Sequence, residues 1–211
     1  MIPLILRLKK QMHRDIAKAQ DMVMEEIYAV FENAVLHGGT AIWRCYKGNR
    51  FSEDIDVYIA KDNAKIVLLF KNLEKKGFII KKKKTGKNSL FSNLQLNRTF
   101  VRLEALFKKA DGSLKEYELS DGNLITVYTL TPEELIEEKV NAYLKRLKIR
   151  DLYDIFFLLR YVKKKDEIKN SIKKLINNFK KPVDEKELGV LILEGITPNS
   201  EKMLSYIKSW I

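Results

Sequence analysis

From Leu8 to Asn33 the apolar positions Ile16, Ala19, Met22, Val23, Ile27, Val30 and Phe31 recur at helical spacing, which predicts one amphipathic helix. The run AVLH, residues 34–37, is short and apolar and stops at Gly38-Gly39, the pattern of a strand entering a tight turn. TAIWRCY then reads as a helix with Thr40 as its N-cap. After the polar loop KGNRFSE, the alternation in DIDVYIA, residues 54–60, predicts a strand. Residues 62–76 read as a helix with Ala64, Val67, Leu68 and Leu73 on one face. FIIKKKK, NSLFSNLQL and TFVRLEALF follow as a three-strand meander, then EYEL and NLITVYTL as two strands parted by Ser120-Asp121-Gly122. Past Thr131 only helical texture remains. Thr131 can cap TPEELIEEKVNAYLKR, Pro132 suits its first position, and acids fill its first turn. RDLYDIFFLLRYV, DEIKNSIKKLINNFK, DEKELGVLIL and SEKMLSYIKSWI give four more helices. The reading is a mixed α/β segment over residues 1–130 and a helical one over 131–211.

Composition places the 211 residues in the globular class: 45% are hydrophobic and 32% charged, which excludes a disordered or collagen-like chain. The lone Cys45 excludes a disulfide scaffold and a Cys-rich zinc site. With only two histidines, a Ser/His/Asp or Cys/His catalytic machine is disfavoured. There is no apolar run long enough to span a bilayer. The start, MIPLILRLKKQ, is apolar before basic, the reverse of a secretory signal, so a cytoplasmic protein without a membrane partner is expected. The net charge of +12 favours a polyanionic partner, nucleic acid or nucleotide first.

The chemistry concentrates in HGGTAIWRCYKGNRFSEDIDVYI, residues 37–59. A Gly38-Gly39-Thr40 turn between strand and helix exposes backbone N–H groups that can hold phosphate. Asp54 and Asp56 stand at i and i+2 on one strand, so both carboxylates face the same way. Two such charges call for a cation, and Mg²⁺ (or Mn²⁺) takes oxygen ligands together with substrate phosphates. A phosphate-gripping turn beside a carboxylate pair is the makeup of a phosphoryl or nucleotidyl transfer site.

This order of motifs resembles the nucleotidyltransferase superfamily typified by DNA polymerase β. That resemblance implies an α+β fold, with a mixed sheet flanked by helices and a C-terminal helical bundle completing the cleft. It also implies a third carboxylate on a neighbouring strand, for which Glu104 in TFVRLEALF is the candidate. The detail is closer to the abortive-infection AbiEii/AbiGii toxin group. GGTA is followed by Arg50-x-Ser52-x-Asp54-x-Asp56, then by TPEEL with Lys139 and by Arg150-Asp151-Leu152-Tyr153-Asp154. The resemblance covers residues 37–59 and 131–159 and implies the toxin of a toxin–antitoxin pair. Its activity would be transfer of a nucleoside monophosphate from an NTP to RNA, tRNA above all. By this resemblance Asp54, Asp56 and Glu104 hold the metal, Gly38, Gly39 and Thr40 bind the nucleotide, and Arg50 and Ser52 steady phosphates or the loop. Lys139 binds phosphate, and Asp151 assists the incoming nucleophile or orders the pocket. The alternatives are transfer to a protein or small-molecule hydroxyl, and a non-catalytic module that binds RNA or a partner.

Other residues carry weaker signals. Lys139, Tyr143, Arg146 and Arg150 share a face if one helix runs through them. Arg150 and Asp154 at i, i+4 have the spacing of a surface ion pair. His13 reads as solvent-facing, His37 as a core or turn histidine, and Trp43 and Cys45 as packing residues. Lys81–Lys84 with Lys87 are either an RNA contact or a solvated edge strand.

Overall fold

A computed structural model describes residues 2–211. Its elements run α1 (Leu4–Arg7), α2 (Gln11–Val30), β1 (Val35–His37), α3 (Gly38–Cys45), β2 (Asp54–Ile59) and α4 (Asn63–Lys75). Five strands follow: β3 (Ile79–Thr85), β4 (Ser89–Leu96), β5 (Thr99–Phe107), β6 (Ser113–Glu118) and β7 (Leu124–Thr129). The chain ends in α5 (Pro132–Arg146), α6 (Ile149–Leu158), α7 (Lys165–Asn177), α8 (Leu188–Leu191) and α9 (Ser200–Lys208). The strands form one seven-stranded sheet in the order β3-β4-β5-β2-β1-β7-β6. β2 pairs parallel with β5 and β1 parallel with β7, while the other neighbours are antiparallel. The two central strands therefore carry the residues flanking the Gly-Gly turn and the Asp pair, side by side.

One face of β4 and β5 is apolar, with Leu90, Leu94, Val101, Leu103 and Ala105 buried beneath α2 and α4. The buried side of α4 is Ile66, Leu69, Phe70 and Leu73. Val67 and Leu68, expected on that side, are exposed, because the true stripe is rotated about one position from the one read off the sequence. The helix expected from Leu8 begins at Gln11 and is preceded by the short, unexpected α1; between them the extended backbone at Leu8 drops its side chain into a small core with Leu4, Ile16, Trp43 and Phe51. His13 belongs to that core and is not solvent-facing: it is buried and stacked on Phe51 at 3.8 Å. Cys45 is a packing residue, and burial pushes its thiol up to about 12.

Arg44 fixes the direction of α3. Its fully buried guanidinium donates to the Asp21 carboxylate at 2.7 Å and to the carbonyls of Ala17 and Glu118 at 3.0 Å. This locks the helix to α2 and the end of β6, with its glycine end toward β2.

The main apolar core does not stop at residue 130. It runs from Val23, Leu36 and Ile55 into Ile136, Leu152, Ile172 and Met203 without a break. The helical segment begins where expected, with a capping box: Glu134 N–H donates to the Thr131 hydroxyl at 3.3 Å and Thr131 N–H donates to Glu134 at 2.8 Å. It is interrupted at Leu147, which takes φ +53°, so the helix does not run through from Lys139 to Arg150. DEKELGVLIL, expected as a helix, yields a single 3₁₀ turn (Glu185–Glu187) and the four-residue α8; Gly189 and the β-branched Val190 and Ile192 give it little intrinsic helicity.

Removing the cap should be measurable. Thr131→Ala should cost about 1 kcal/mol in urea unfolding, while Thr131→Ser should leave stability near the parent value.

Candidate active site

β2 and β5 build one wall of a small cleft. Their register sets Asp54 opposite Arg102 and Asp56 opposite Glu104, so four charged side chains leave the same face of the sheet. α3 builds the floor. Its first residue, Gly38, has φ +70°, and a Cβ there would run into the Asp56 carboxylate. Gly39 is crowded differently: a Cβ would lie 2.5 Å from Ser52 Oγ and 2.8 Å from Arg50 Nη2. The two glycines thus let the acidic strand and the Arg50–Ser52 loop close over the N-terminus of a helix. The opposite wall comes from α5 and α6. The cavity between these walls, about 150 Å³, is lined by Gly39, Arg50, Ser52, Asp54, Asp56, Arg102, Glu104, Lys139, Arg146 and Arg150.

Of the ten site residues expected from sequence, seven line this cavity and Gly38 backs onto Asp56 just beneath it; Thr40 and Asp151 do not line it. Thr40 is fully buried; α3 starts at Gly38, so Thr40 is inside the helix and not its N-cap. Its hydroxyl donates to the Asp54 carbonyl, pinning α3 to the first residue of β2. Asp151 lies off the cavity wall. Both its oxygens accept from Arg146 at 2.7 Å, and the carboxylate is fully buried.

Asp154 is the acid that organises the site. It does not pair with Arg150 at the surface. It is 1% exposed and accepts two hydrogen bonds from Arg50 at 2.8 Å, while the Lys139 ammonium sits 2.8 Å away. The reason lies in the break at Leu147: α6 restarts on its own axis, turning Asp154 inward and leaving Arg150 on the cavity wall. Arg50 also donates to the Phe51 carbonyl at 2.9 Å, so it steadies the loop leading into β2. Lys139 is held from behind by Asp154 and by Asp151 at 3.7 Å.

The charges answer to this geometry. Burial opposes ionisation of Asp154, yet Arg50 and Lys139 hold its carboxyl below the usual range. Burial raises Asp56, with the neighbouring Asp54 adding to it, although His37 and Lys139 pull the other way. Burial and then the charge of Asp56 raise Glu104. Asp56 and Glu104 are therefore a carboxylate pair short of positive charge. Their hard oxygens, with Asp54, are the donor set a divalent cation accepts alongside phosphate and water. Among the described residues no three acids are yet drawn together at ligand spacing. Arg102 explains why: it donates to both Asp54 oxygens, at 2.8 and 2.6 Å, and lies 3.7 Å from Glu104.

Arg102 was not singled out from sequence, although it lies two residues before Glu104 and so shares its face. Glu138 was also missed. It accepts from Tyr58 and meets His37 Nδ1 at 3.1 Å, while the His37 ring stacks on Tyr58 at 4.0 Å and its Nε2 has no hydrogen-bond partner. No local spacing announces such a cross-chain cluster.

Residues 23–202 match the family described as Nucleotidyl transferase AbiEii toxin, Type IV TA system. The chain belongs to the AbiEii nucleotidyltransferase toxin family. The resemblance read from GGTA and the Arg-x-Ser-x-Asp-x-Asp stretch is thus borne out at the family level. Among curated proteins there is no match. Among solved structures the chain is similar to JHP933 from Helicobacter pylori, with TM-score 0.65 and 19% identity over 95% of this chain and 90% of that one. It is also similar to MenT4, a nucleotidyltransferase toxin from Mycobacterium tuberculosis H37Rv, with TM-score 0.62 and 16% identity over 92% and 82%. At these identities the likeness establishes the fold, an α+β nucleotidyltransferase architecture with a mixed sheet and flanking helices.

Asp154→Ala should destabilise this AbiEii protein by about 3–5 kcal/mol in urea titrations, because it strands two buried cations. Since the folded carboxyl titrates below its unfolded value of about 3.9, the advantage of the parent over the variant should be full above that pH. It should be lost only as pH falls through the lower folded value.

Proposed function

We propose that this chain is a metal-dependent nucleotidyltransferase that transfers a nucleoside monophosphate from an NTP to RNA, tRNA first, as the toxin of a toxin–antitoxin pair. The observation that carries the reading is one small cavity with acids on one wall and cations on the other. Asp54, Asp56 and Glu104 face Lys139, Arg146 and Arg150 across the N-terminus of α3. A triphosphate needs both: oxygen ligands for its cation and positive charge for its own oxygens.

Asp54, Asp56 and Glu104 would hold Mg²⁺ or Mn²⁺, which when bound neutralises triphosphate charge and favours the deprotonated acceptor hydroxyl. Gly39, at the start of α3, lines the cavity without a side chain, and the N–H groups of that helix end would meet the phosphates there. Ser52 offers a hydroxyl to a phosphate oxygen. Lys139, held from behind by two acids, presents a fixed charge, which costs no reorganisation during reaction. Arg146 is likewise fixed through Asp151. Arg50 serves the loop, its guanidinium being committed to Asp154. In the reaction the acceptor oxygen bonds to the α-phosphorus, the bond to the bridging oxygen breaks, and pyrophosphate leaves with the electron pair.

RNA is favoured as acceptor by the net charge of +12. No described helix is long and apolar enough to cross a membrane. The family points to a cognate antitoxin as partner.

The decisive assay supplies each NTP labelled at the α-phosphate, with divalent cation, to total tRNA and separately to cell protein. Label should appear on tRNA and vanish in Asp54→Ala and Asp56→Ala. Label on protein alone would replace the acceptor, and no label on either, with RNA binding unaffected by both substitutions, would leave a binding module. A second expectation needs no turnover. Mn²⁺ should raise the melting temperature of the parent protein, and Asp56→Asn should abolish that shift while raising the melting temperature without metal, because it removes a half-buried, poorly compensated charge.

A further inference from the structure

The sheet does not end at the cavity. Beyond β5, the register continues outward in two rows: Asp54 opposite Arg102, Arg102 opposite Asn93, Asn93 opposite Lys82; and Asp56 opposite Glu104, Glu104 opposite Phe91, Phe91 opposite Lys84. Directly opposed residues share a face, so Lys82 and Lys84 lie on the same side of the sheet as the catalytic carboxylates, about 14 Å away at ordinary strand spacing. A bulge between Ile80 and Lys82 makes this so. Without it, Lys81 and Lys83 would take those places. Lys83 instead reaches the α4 side, 4.1 Å from the Phe70 ring.

This outer face is open. The helices α2 and α4 cover the other side, while Phe100 is 50% and Leu106 43% exposed. Phe91 is half-buried, with the Lys82 ammonium 5.5 Å from its ring. Glu104 is the only carboxylate among the described residues on the outer face of β3, β4 and β5, and it stands at the cavity. A flat sheet face with exposed aromatic rings, bordered by a double lysine, suits unstacked bases and their phosphates. Duplex grooves offer no base faces to stack on such a platform. Lys82 and Lys84 lie about 7 Å apart along β3, a step that an extended nucleic-acid backbone can follow.

We infer that the open face of β5, β4 and β3 is the track for the acceptor, with single-stranded RNA lying from the cavity across Phe100 and Phe91 to Lys82 and Lys84. The inference rests on the RNA reading of the acceptor and adds to it where the strand lies. It accounts for the lysine run: Lys82 and Lys84 of an edge strand serve the nucleic acid, and Lys83 packs on α4.

The test uses the full chain and a fluorescein-labelled single-stranded oligoribonucleotide with a free 3′ hydroxyl, followed by fluorescence anisotropy over a range of salt. In the Lys82→Glu/Lys84→Glu variant, binding should weaken and the slope of log K against log salt should become shallower by about 1.4, the value for two lost phosphate contacts to a single strand. Phe100→Ala should weaken binding about tenfold with the slope unchanged, as for a lost base stack. Both variants should keep the parent's melting temperature and NTP affinity. Lys169→Glu/Lys173→Glu, which changes the charge equally at exposed sites on α7, should bind RNA as the parent does. If the β3 variant binds as tightly as the parent, or the α7 variant loses as much, the track is wrong while RNA labelling by the parent still stands. If the parent binds no RNA and labels protein, the acceptor reading falls and the track with it.

Discussion

The buried carboxylate of Asp154 is the point on which the site turns. It lies on α6, accepts twice from Arg50 in the loop before β2, and meets Lys139 on α5. A loop of the sheet segment and two consecutive helices about a hundred residues later are thereby held in one geometry. The loop that delivers Asp54 to the head of β2 is fixed against the helices, and the same contact fixes a lysine on the facing wall. A buried ion cluster is a poor source of net stability, since desolvation consumes most of its Coulombic gain. Its value here is geometric. The acidic and basic walls hold their separation because charge in the interior has no alternative partner.

Around that point the sheet works as a ruler. The parallel pairing of β2 with β5 decides that Asp56 faces Glu104 and Asp54 faces Arg102. A slip of one residue would send the whole set to the apolar side, beneath α2 and α4. The buried residues Ile55, Val57, Leu103 and Ala105 therefore protect the register of the charged residues that alternate with them. Core packing and site chemistry are two readouts of one strand alignment. Arg102 belongs to the same account: cross-strand placement makes it the resting partner of Asp54.

Much of this could be read in the chain beforehand. The strand–glycine–helix–strand order, the Asp pair, Glu104 and the capped start of α5 all rest on spacing within one or two elements, and the structure has them in those elements. What escaped depends on pairing or on where a helix stops. Arg102 gains meaning only from the β2–β5 register. The inward turn of Asp154 follows from Leu147 adopting a left-handed conformation that a leucine does not advertise. Thr40 looked like a cap because it follows two glycines, but Gly38 can itself begin the helix, and the threonine hydroxyl then meets a backbone carbonyl of β2. His13 looked polar because its neighbours are charged, while the ring that stacks on it, Phe51, comes from a distant loop.

The two adjacent glycines carry different evolutionary constraints. Gly38 is barred from any side chain twice over, by its positive φ and by the Asp56 carboxylate against it. Loss of Asp56 would lift one bar and leave the other, so no single compensating change reopens that position. Gly39 is crowded only by the side chains of Ser52 and Arg50. Its intolerance is conditional: room for alanine at 39 needs both neighbours, at 52 and at 50, to give way. Substitutions at Gly39 are thus coupled to those two neighbours, and divergent relatives can exchange them as a set, whereas Gly38 admits no such trade.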